Sequence, residues 1–413
     1  ETPLIQNTTG NINEKKTLIN PLIKETGEKV KTLLEWEAQR DYLKNILIEY
    51  QYGSMPSTDL LDTVYVLQQE YKIDGTTRDS MLLLTFHLIR DGKTASIRAG
   101  LVIPKQRGSK TPVIIKNDDF IFSLNDIKSK RLEQLYADNH RDEINNYSIR
   151  KATEKGYSLL KFIRTDVASD SVDSRQTGVY RLFPEYNWGT IAAWAWMYQV
   201  IINWLENQDF ADMDRIVVTG HSRGGKAALC AAIFDNRIDL TVPNASGTGG
   251  TGSWQYSDKH HSFESIDRIL KYYEYWWSPN LDRFRDDVSE LPFDAHFNKA
   301  LIAPRALLNT GSREDYWSNP FGTYLTHLAA MPFFEAYGVS QNLGVKWRNG
   351  AHNQDSADWD ALFKFSDKLF FNKQCEIDFN ESPFSEYEYD AILTPYLKDL
   401  DGFSSIIFSR TND

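Results

Sequence analysis

Two cysteines in 413 residues, Cys230 and Cys375, are too few for a disulfide framework. Cys230 falls in an Ala/Leu-rich stretch and reads as a small core residue. No apolar run approaches the roughly 20 residues that a membrane-spanning helix needs, so no span is expected. Positive charge is also short: 46 Lys and Arg against 57 Asp and Glu give a formal net charge of -11. There is no basic run and no zinc-finger spacing, which excludes nucleic acid as an expected partner, because phosphate binding needs clustered cations. Nor is there a His/Cys cluster with metal-ligand spacing, so neither a metal nor an organic cofactor is expected. Internal repeats and low-complexity linkers are absent. The chain begins at Glu1 rather than Met, which fits a protein whose leader has been removed, and a secreted or periplasmic location is the expectation.

Aromatics, by contrast, are plentiful, at 13% with 11 Trp and 21 Tyr. Most should fill a large core, while exposed rings suit the apolar face of a sugar. Residues 1–28 are polar and aperiodic and read as an N-terminal arm. Residues 29–413 read as one catalytic domain, carrying an aromatic-rich insertion at about 253–298. Around Leu33 to Tyr50, Leu34, Ala38, Tyr42 and Ile46 fall at helical spacing, with Trp36 and Leu43 nearby, and predict an amphipathic helix stopped by Gly53 and Pro56. Three strands follow between Asp62 and Pro104, separated by polar turns at Asp74-Gly75 and Asp91-Gly92, an antiparallel opening. Strands at Pro112–Lys116, Tyr157–Ile163, Ile216–Val218, Leu240–Pro243, Arg305–Thr310 and Gly344–Trp347 then alternate with helices such as Gly189–Leu205. The pattern predicts a three-layer αβα sandwich whose central sheet is mostly parallel after the antiparallel start. In such sheets the site lies at the C-terminal strand ends.

The most informative stretch joins a β-branched run, Ile216 to Val218, through Gly220-His221-Ser222-Arg223-Gly224 to a helix former at Lys226–Phe234. Strand, sharp Gly-x-Ser-x-Gly turn and helix are the nucleophile elbow of an α/β-hydrolase. Flanking glycines allow the close backbone approach that a strained serine requires, and the helix N-terminus favours the charge of a tetrahedral intermediate. A serine nucleophile needs a base, and the base needs an orienting acid, in the chain order Ser, acid, His. Of eight histidines, His352 alone among those after Ser222 directly follows a predicted strand. The acid should follow the preceding strand, where Glu314 and Asp315 stand side by side, and Asp315 is the favoured one. The loop Asn117–Asn125 is the expected source of a second oxyanion donor.

These residues carry a resemblance to the glucuronoyl esterases, carbohydrate esterase family 15, especially their bacterial branch. That family's elbow reads Gly-x-Ser-Arg-x-Gly-Lys, matched by Gly220 to Lys226. Further matching blocks, in family order, are Trp36-Glu-x-x-Arg40, Tyr52-Gly-x-x-Pro56, Trp188-Gly-Thr-x-Ala-Ala-Trp194, Asn244-x-Ser-Gly-x-Gly-Gly250, Leu301-Ile-Ala-Pro-Arg305, Glu314-Asp-x-Trp317 and Gly350-x-His352. The resemblance implies hydrolysis of 4-O-methyl-glucuronoyl esters that join glucuronoxylan to lignin alcohols, by a monomeric serine esterase. It implies Ser222 as nucleophile, His352 as base, and Arg223 as oxyanion donor through both backbone and guanidinium. Lys226, Trp317 and Glu264 would meet the sugar.

Two departures stand out. Many members carry the triad acid where this chain has Ala245, so the late acid Asp315 takes that role here. Where relatives place arginines for the uronate, this chain reads Ser253-Trp-Gln-Tyr256, leaving Gln255 as the donor. A neutral donor weakens uronate recognition, since a charge-assisted bond is about twice as strong. That keeps two rivals in view: an esterase for acetyl or methyl-uronate esters, and a retired hydrolase that only binds carbohydrate.

Overall fold

A computed structural model describes residues 17–71, 80–104, 110–119, 121, 140–384, 389–400 and 402–403. The expected turn at Asp74-Gly75 and residues 1–16 of the arm lie outside these. Nine strands form one sheet: β1 (Thr63–Tyr71), β2 (Ser80–Arg90), β3 (Lys93–Ile103), β4 (Thr111–Asp118), β5 (Ser158–Ile163), β6 (Ala211–His221), β7 (Leu240–Asn244), β8 (Ala306–Ser312) and β9 (Leu343–Arg348). Their order is β1-β2-β3-β5-β4-β6-β7-β8-β9. The first three pair antiparallel, β3 meets β5 antiparallel, and every pair from β5-β4 to β8-β9 is parallel. The antiparallel opening and parallel continuation match the sequence expectation.

Strand alternation divides the interior into two cores. Val113, Ile115, Ile216 and Val218 face one, with α1 (Leu33–Leu47), α3 (Thr190–Leu205) and α4 (Arg223–Phe234). Ile114, Leu159 and Val217 face the other, with Ala152 of α2 (His140–Lys155) and Trp359, Leu362 and Phe363 of α5 (Ser356–Phe371). Inner strands therefore read as continuous apolar runs because both faces are covered. Most tryptophans are buried, Trp194 and Trp196 inside α3 among them. The described part of the arm packs Leu18 and Leu22 into the first core. Among the described residues no helix is long and apolar enough to cross a membrane.

Helix α1 departs from its expected face. Leu34 is 70% exposed, whereas Trp36, Gln39, Arg40, Leu43 and Leu47 are buried. The inward face includes two polar residues because their hydrogen bonds are met inside. Gln39 donates to the carbonyls of Pro21 and Ile23, and Arg40 to those of Ala303 and Leu301. Arg40 thus ties α1 to the turn that leads into β8. Truncating it leaves two buried carbonyls without donors. Arg40→Ala is expected to lower unfolding free energy by about 2–3 kcal/mol in urea denaturation.

At the sheet's other edge, away from the strand C-termini, Asp239 precedes β7 and accepts Ile216 N–H at 2.8 Å. Burial raises its carboxyl to about 6, with Asp214 adding to the shift and Ile216 N–H opposing it. A raised folded value means that stability is fully present below the unfolded value and is lost as pH rises through about 6. Asp239→Asn keeps an acceptor without the charge. It should stabilise the protein by about 1 kcal/mol at pH 7, with the gain vanishing near pH 4, as read by melting curves across pH.

Candidate active site

The C-terminal ends of β6, β8 and β9 supply three loops that converge. At the end of β6, Ser222 takes φ 54 and ψ -121, a region that non-glycine residues rarely occupy. The turn is possible because of its neighbours: a Cβ on Gly220 would sit 2.3 Å from Gly224 O, and one on Gly224 would sit 2.4 Å from Asn117 Oδ1. Ser222 N–H donates to Asn244 O at 2.9 Å, which fastens the turn to β7. Ser222 is the N-cap residue of α4, whose first N–H groups have no intrahelical acceptor.

His352 Nε2 is 2.9 Å from Ser222 Oγ, and its Nδ1 is 2.5 Å from Asp315 Oδ2. The second contact fixes the tautomer, with Nδ1–H donating and Nε2 left basic toward the serine. Burial alone would raise the Asp315 carboxyl, but the hydrogen bond and charge of His352, with donation from Ser318, outweigh it. The net shift is downward. Glu314, the alternative acid, instead accepts Gly350 N–H at 2.8 Å and so shapes the histidine loop. Arg348 secures that loop further, donating to the carbonyls of Asn349, Ala351 and Asn353 while paired with Asp358 at 2.8 Å. Other buried histidines lack this setting: desolvation drops His296 to about 4 and His327 to about 3. His221, its ring 4.7 Å from that of His352, donates to Asn244 Oδ1 and is held at about 3, chiefly by burial. It is therefore neutral and does not compete for the proton.

Beyond the serine, Lys226 is fully buried and donates to Ser246 O and Glu264 Oε2, both at 2.7 Å. Burial pulls Lys226 down and pushes Glu264 up, each opposed by the other's charge. Glu264 N–H donates to Trp317 O at 3.0 Å, and the Trp317 side chain is 40% exposed with the Arg268 guanidinium 5.9 Å from its ring. Lys226, Glu264 and Trp317 thus form one wall. Gln255 is fixed through its backbone to Ser253 Oγ at 3.1 Å, and its buried Nε2 has no partner among the described residues. No contact joins Gln255 to the Ser222 group. Ala245 ends β7 with φ 41 and presents only a methyl group.

Two features differ from the sequence reading or escape it. Within the loop Asn117–Asn125, Asn117 itself is engaged elsewhere: its N–H donates to Tyr198 OH at 3.1 Å, and its Nδ2 to Tyr198 OH and Gly224 O. Residues 120 and 122–125 of that loop lie outside the described residues. Arg223, in turn, has a partner that no motif announces. Its Nη1 donates to Asp170 Oδ2, whose other oxygen accepts Tyr275 OH at 2.9 Å and Trp276 Nε1 at 2.8 Å. The guanidinium lies 4.8 Å from the Trp276 ring and 5.4 Å from that of Tyr273. Burial lowers the Arg223 value, but Asp170 more than offsets it and the net direction is up.

In sequence and fold the chain is similar to known carbohydrate esterases. A family model described as "Glucuronyl esterase, fungi" matches residues 138–338. A curated carbohydrate esterase from an unknown prokaryotic organism is 26% identical over 395 residues, covering 86% of this chain and 89% of the relative. A 4-O-methyl-glucuronoyl methylesterase of Phanerochaete carnosa is 26% identical over 370 residues, 86% of this chain and 82% of its own. Among solved structures, a family 15 glucuronoyl esterase from Caldicellulosiruptor kristjansonii superposes with a TM-score of 0.74 at 28% identity, covering 91% and 96% of the two chains. With an αβα sheet, an elbow at Ser222 and relatives spanning most of its length, the chain is similar to the glucuronoyl esterases of carbohydrate esterase family 15.

Proposed function

We propose that the protein hydrolyses 4-O-methyl-glucuronoyl esters of xylan, with Ser222, His352 and Asp315 as its triad. The observation that carries this reading is the unbroken relay Ser222 Oγ, His352 Nε2, His352 Nδ1, Asp315 Oδ2, at 2.9 and 2.5 Å. Ser222 Oγ attacks the ester carbonyl while His352 Nε2 takes its proton. His352 then gives that proton to the leaving alcohol. A water, deprotonated by the same nitrogen, cleaves the acyl-serine and releases the uronate. Asp315 is ionised throughout, because its value is depressed, and it stabilises the imidazolium that forms.

The oxyanion is met by the first N–H groups of α4 and by Arg223, and one such donor is worth about 10²–10³ in kcat. Lys226 and Glu264 hold sugar hydroxyls, Trp317 walls the ring, and Gln255, once its buried amide turns toward the site, serves as a further donor to the uronate. All three triad members come from one chain, so a monomer suffices. A cell-wall polymer does not enter cells, which places the action in secretion or the periplasm. The neutral turn Ser253–Tyr256 favours one alternative, an acetyl or methyl-uronate ester as the substrate.

Hydrolysis of benzyl glucuronate, methyl glucuronate and an acetylated sugar, measured side by side, tests the reading. Benzyl ester turnover is expected, with a loss of about 10⁴-fold or more in Ser222→Ala and about 10³–10⁴-fold in kcat for Asp315→Asn. Turnover of the acetylated sugar alone would keep the triad and replace the substrate. Glycan binding without turnover of any ester would make the protein a retired hydrolase.

A second prediction concerns the acid limb. Asp315 has a lowered folded value, so the stability it contributes is present above its unfolded value and is lost as pH falls through the folded one. In Asp315→Asn the loss of thermal stability on acidification should be smaller than in the parent, as melting temperatures from pH 7 down to pH 2 would show.

A further inference from the structure

The first turn of α4 carries two cations, Arg223 and Lys226, and each has a carboxylate of its own. Asp170 accepts Arg223 Nη1, and Glu264 accepts Lys226 Nζ at 2.7 Å. Asp170 is held on its other oxygen by Tyr275 and Trp276, so it cannot swing away from the guanidinium. We propose that Asp170 and Glu264 make this a charge-compensated pocket, which admits an uncharged uronate ester and turns out the uronate anion that hydrolysis leaves. The proposal rests on the uronate-ester reading above and deepens it.

The chemistry requires such a device. Water and a neutral ester give a neutral alcohol, a carboxylate and a proton, so the bound acyl part gains a full negative charge at the last step. An uncompensated Arg–Lys pair would grip that carboxylate through charge-assisted, bidentate hydrogen bonds. Product release would then limit turnover. With both cations paired and Asp315 ionised, these five side chains together carry one negative charge in excess, and the turn Ser253–Tyr256 adds no cation. The oxyanion is still served. Arg223 Nε and Nη2 have no protein partner among the described residues, and a donor in direct contact with a developing oxyanion stabilises it whatever the net charge further out.

Calorimetry on the Ser222→Ala protein at pH 7, titrated with methyl glucuronate and with sodium glucuronate, tests this directly. The ester should bind at least about tenfold more tightly than the acid. Adding Asp170→Asn, or separately Glu264→Gln, should raise the acid-to-ester affinity ratio about five- to tenfold, even where the lost Glu264 contact weakens both ligands, and the gain should shrink in high salt. Tyr275→Phe removes a hydrogen bond without changing charge and should leave the acid-to-ester ratio where it was. A merely structural role for either carboxylate would weaken both ligands together and leave the ratio unmoved. That result in both variants, or acid binding as tight as ester binding, overturns the proposal. Turnover of benzyl glucuronate by the parent protein reports separately on the uronate reading: tight acid binding with turnover sinks only the pocket argument, and absence of both binding and turnover sinks both.

Discussion

The rest of the site depends on holding Ser222 in a conformation that its own side chain disfavours. A residue at φ 54 costs on the order of 1–3 kcal/mol and persists only when its surroundings over-determine it. Here they do. Ser222 N–H is tied to β7 through Asn244 O, and the following helix is anchored in the core by Ala227, Ala228 and Leu229. A polar chain braces the turn from the other side. Tyr198 of α3 donates to Thr219 O on β6 and accepts from Asn117 of β4, which in turn donates to Gly224 O. Three elements of the sandwich therefore converge on one strained residue. A side chain at 220 or 224 would break the convergence before any chemistry was lost.

The aromatic-rich segment 253–298 completes this arrangement by supplying charge and cover. Glu264, Tyr275 and Trp276 all come from it, while Lys226, Arg223 and Asp170 come from the sandwich. Buried ion pairs are costly to desolvate, and their attraction repays the cost only with good geometry and further hydrogen bonds. Each pair here has those: Lys226 also donates to Ser246 O, and Asp170 accepts three donors. Loss of one partner would strand a charge, so the segment and the sandwich are energetically one unit around the site.

How much of this was readable in the sequence follows from the range of each interaction. The nine described strands were legible, the inner parallel ones as apolar runs buried on both faces and the first three from the polar turns that separate them. So were the elbow and the late histidine, since motif and chain order restrict them to a few positions. The face of α1 was not legible: Gln39 and Arg40 look like solvent residues until the carbonyls of Pro21, Ile23, Leu301 and Ala303 are brought to them. Asp170 was invisible for the same reason. It is an ordinary loop aspartate whose role is set by Tyr275 and Trp276, which the chain brings back more than a hundred residues later. The engagement of Asn117 was hidden as well, because the Tyr198 hydroxyl that takes its N–H comes from a helix some eighty residues later.

Ala245 closes the electrostatic argument. It stands at the end of β7, its N–H bonded to Thr310 O, beside the strand that leads to Asp315. A carboxylate at 245 as well as at 315 would bring two anions to one imidazole. Like charges so close favour protonation of one of them, and together they favour the imidazolium. A base held protonated cannot take the serine proton. With Asp315 already buried, hydrogen-bonded and depressed, a methyl group at 245 is the electrostatically consistent partner. The loss of an acid on one strand and its presence after the next are thus a single arrangement: one carboxylate per histidine, as there is one per cation on the first turn of α4.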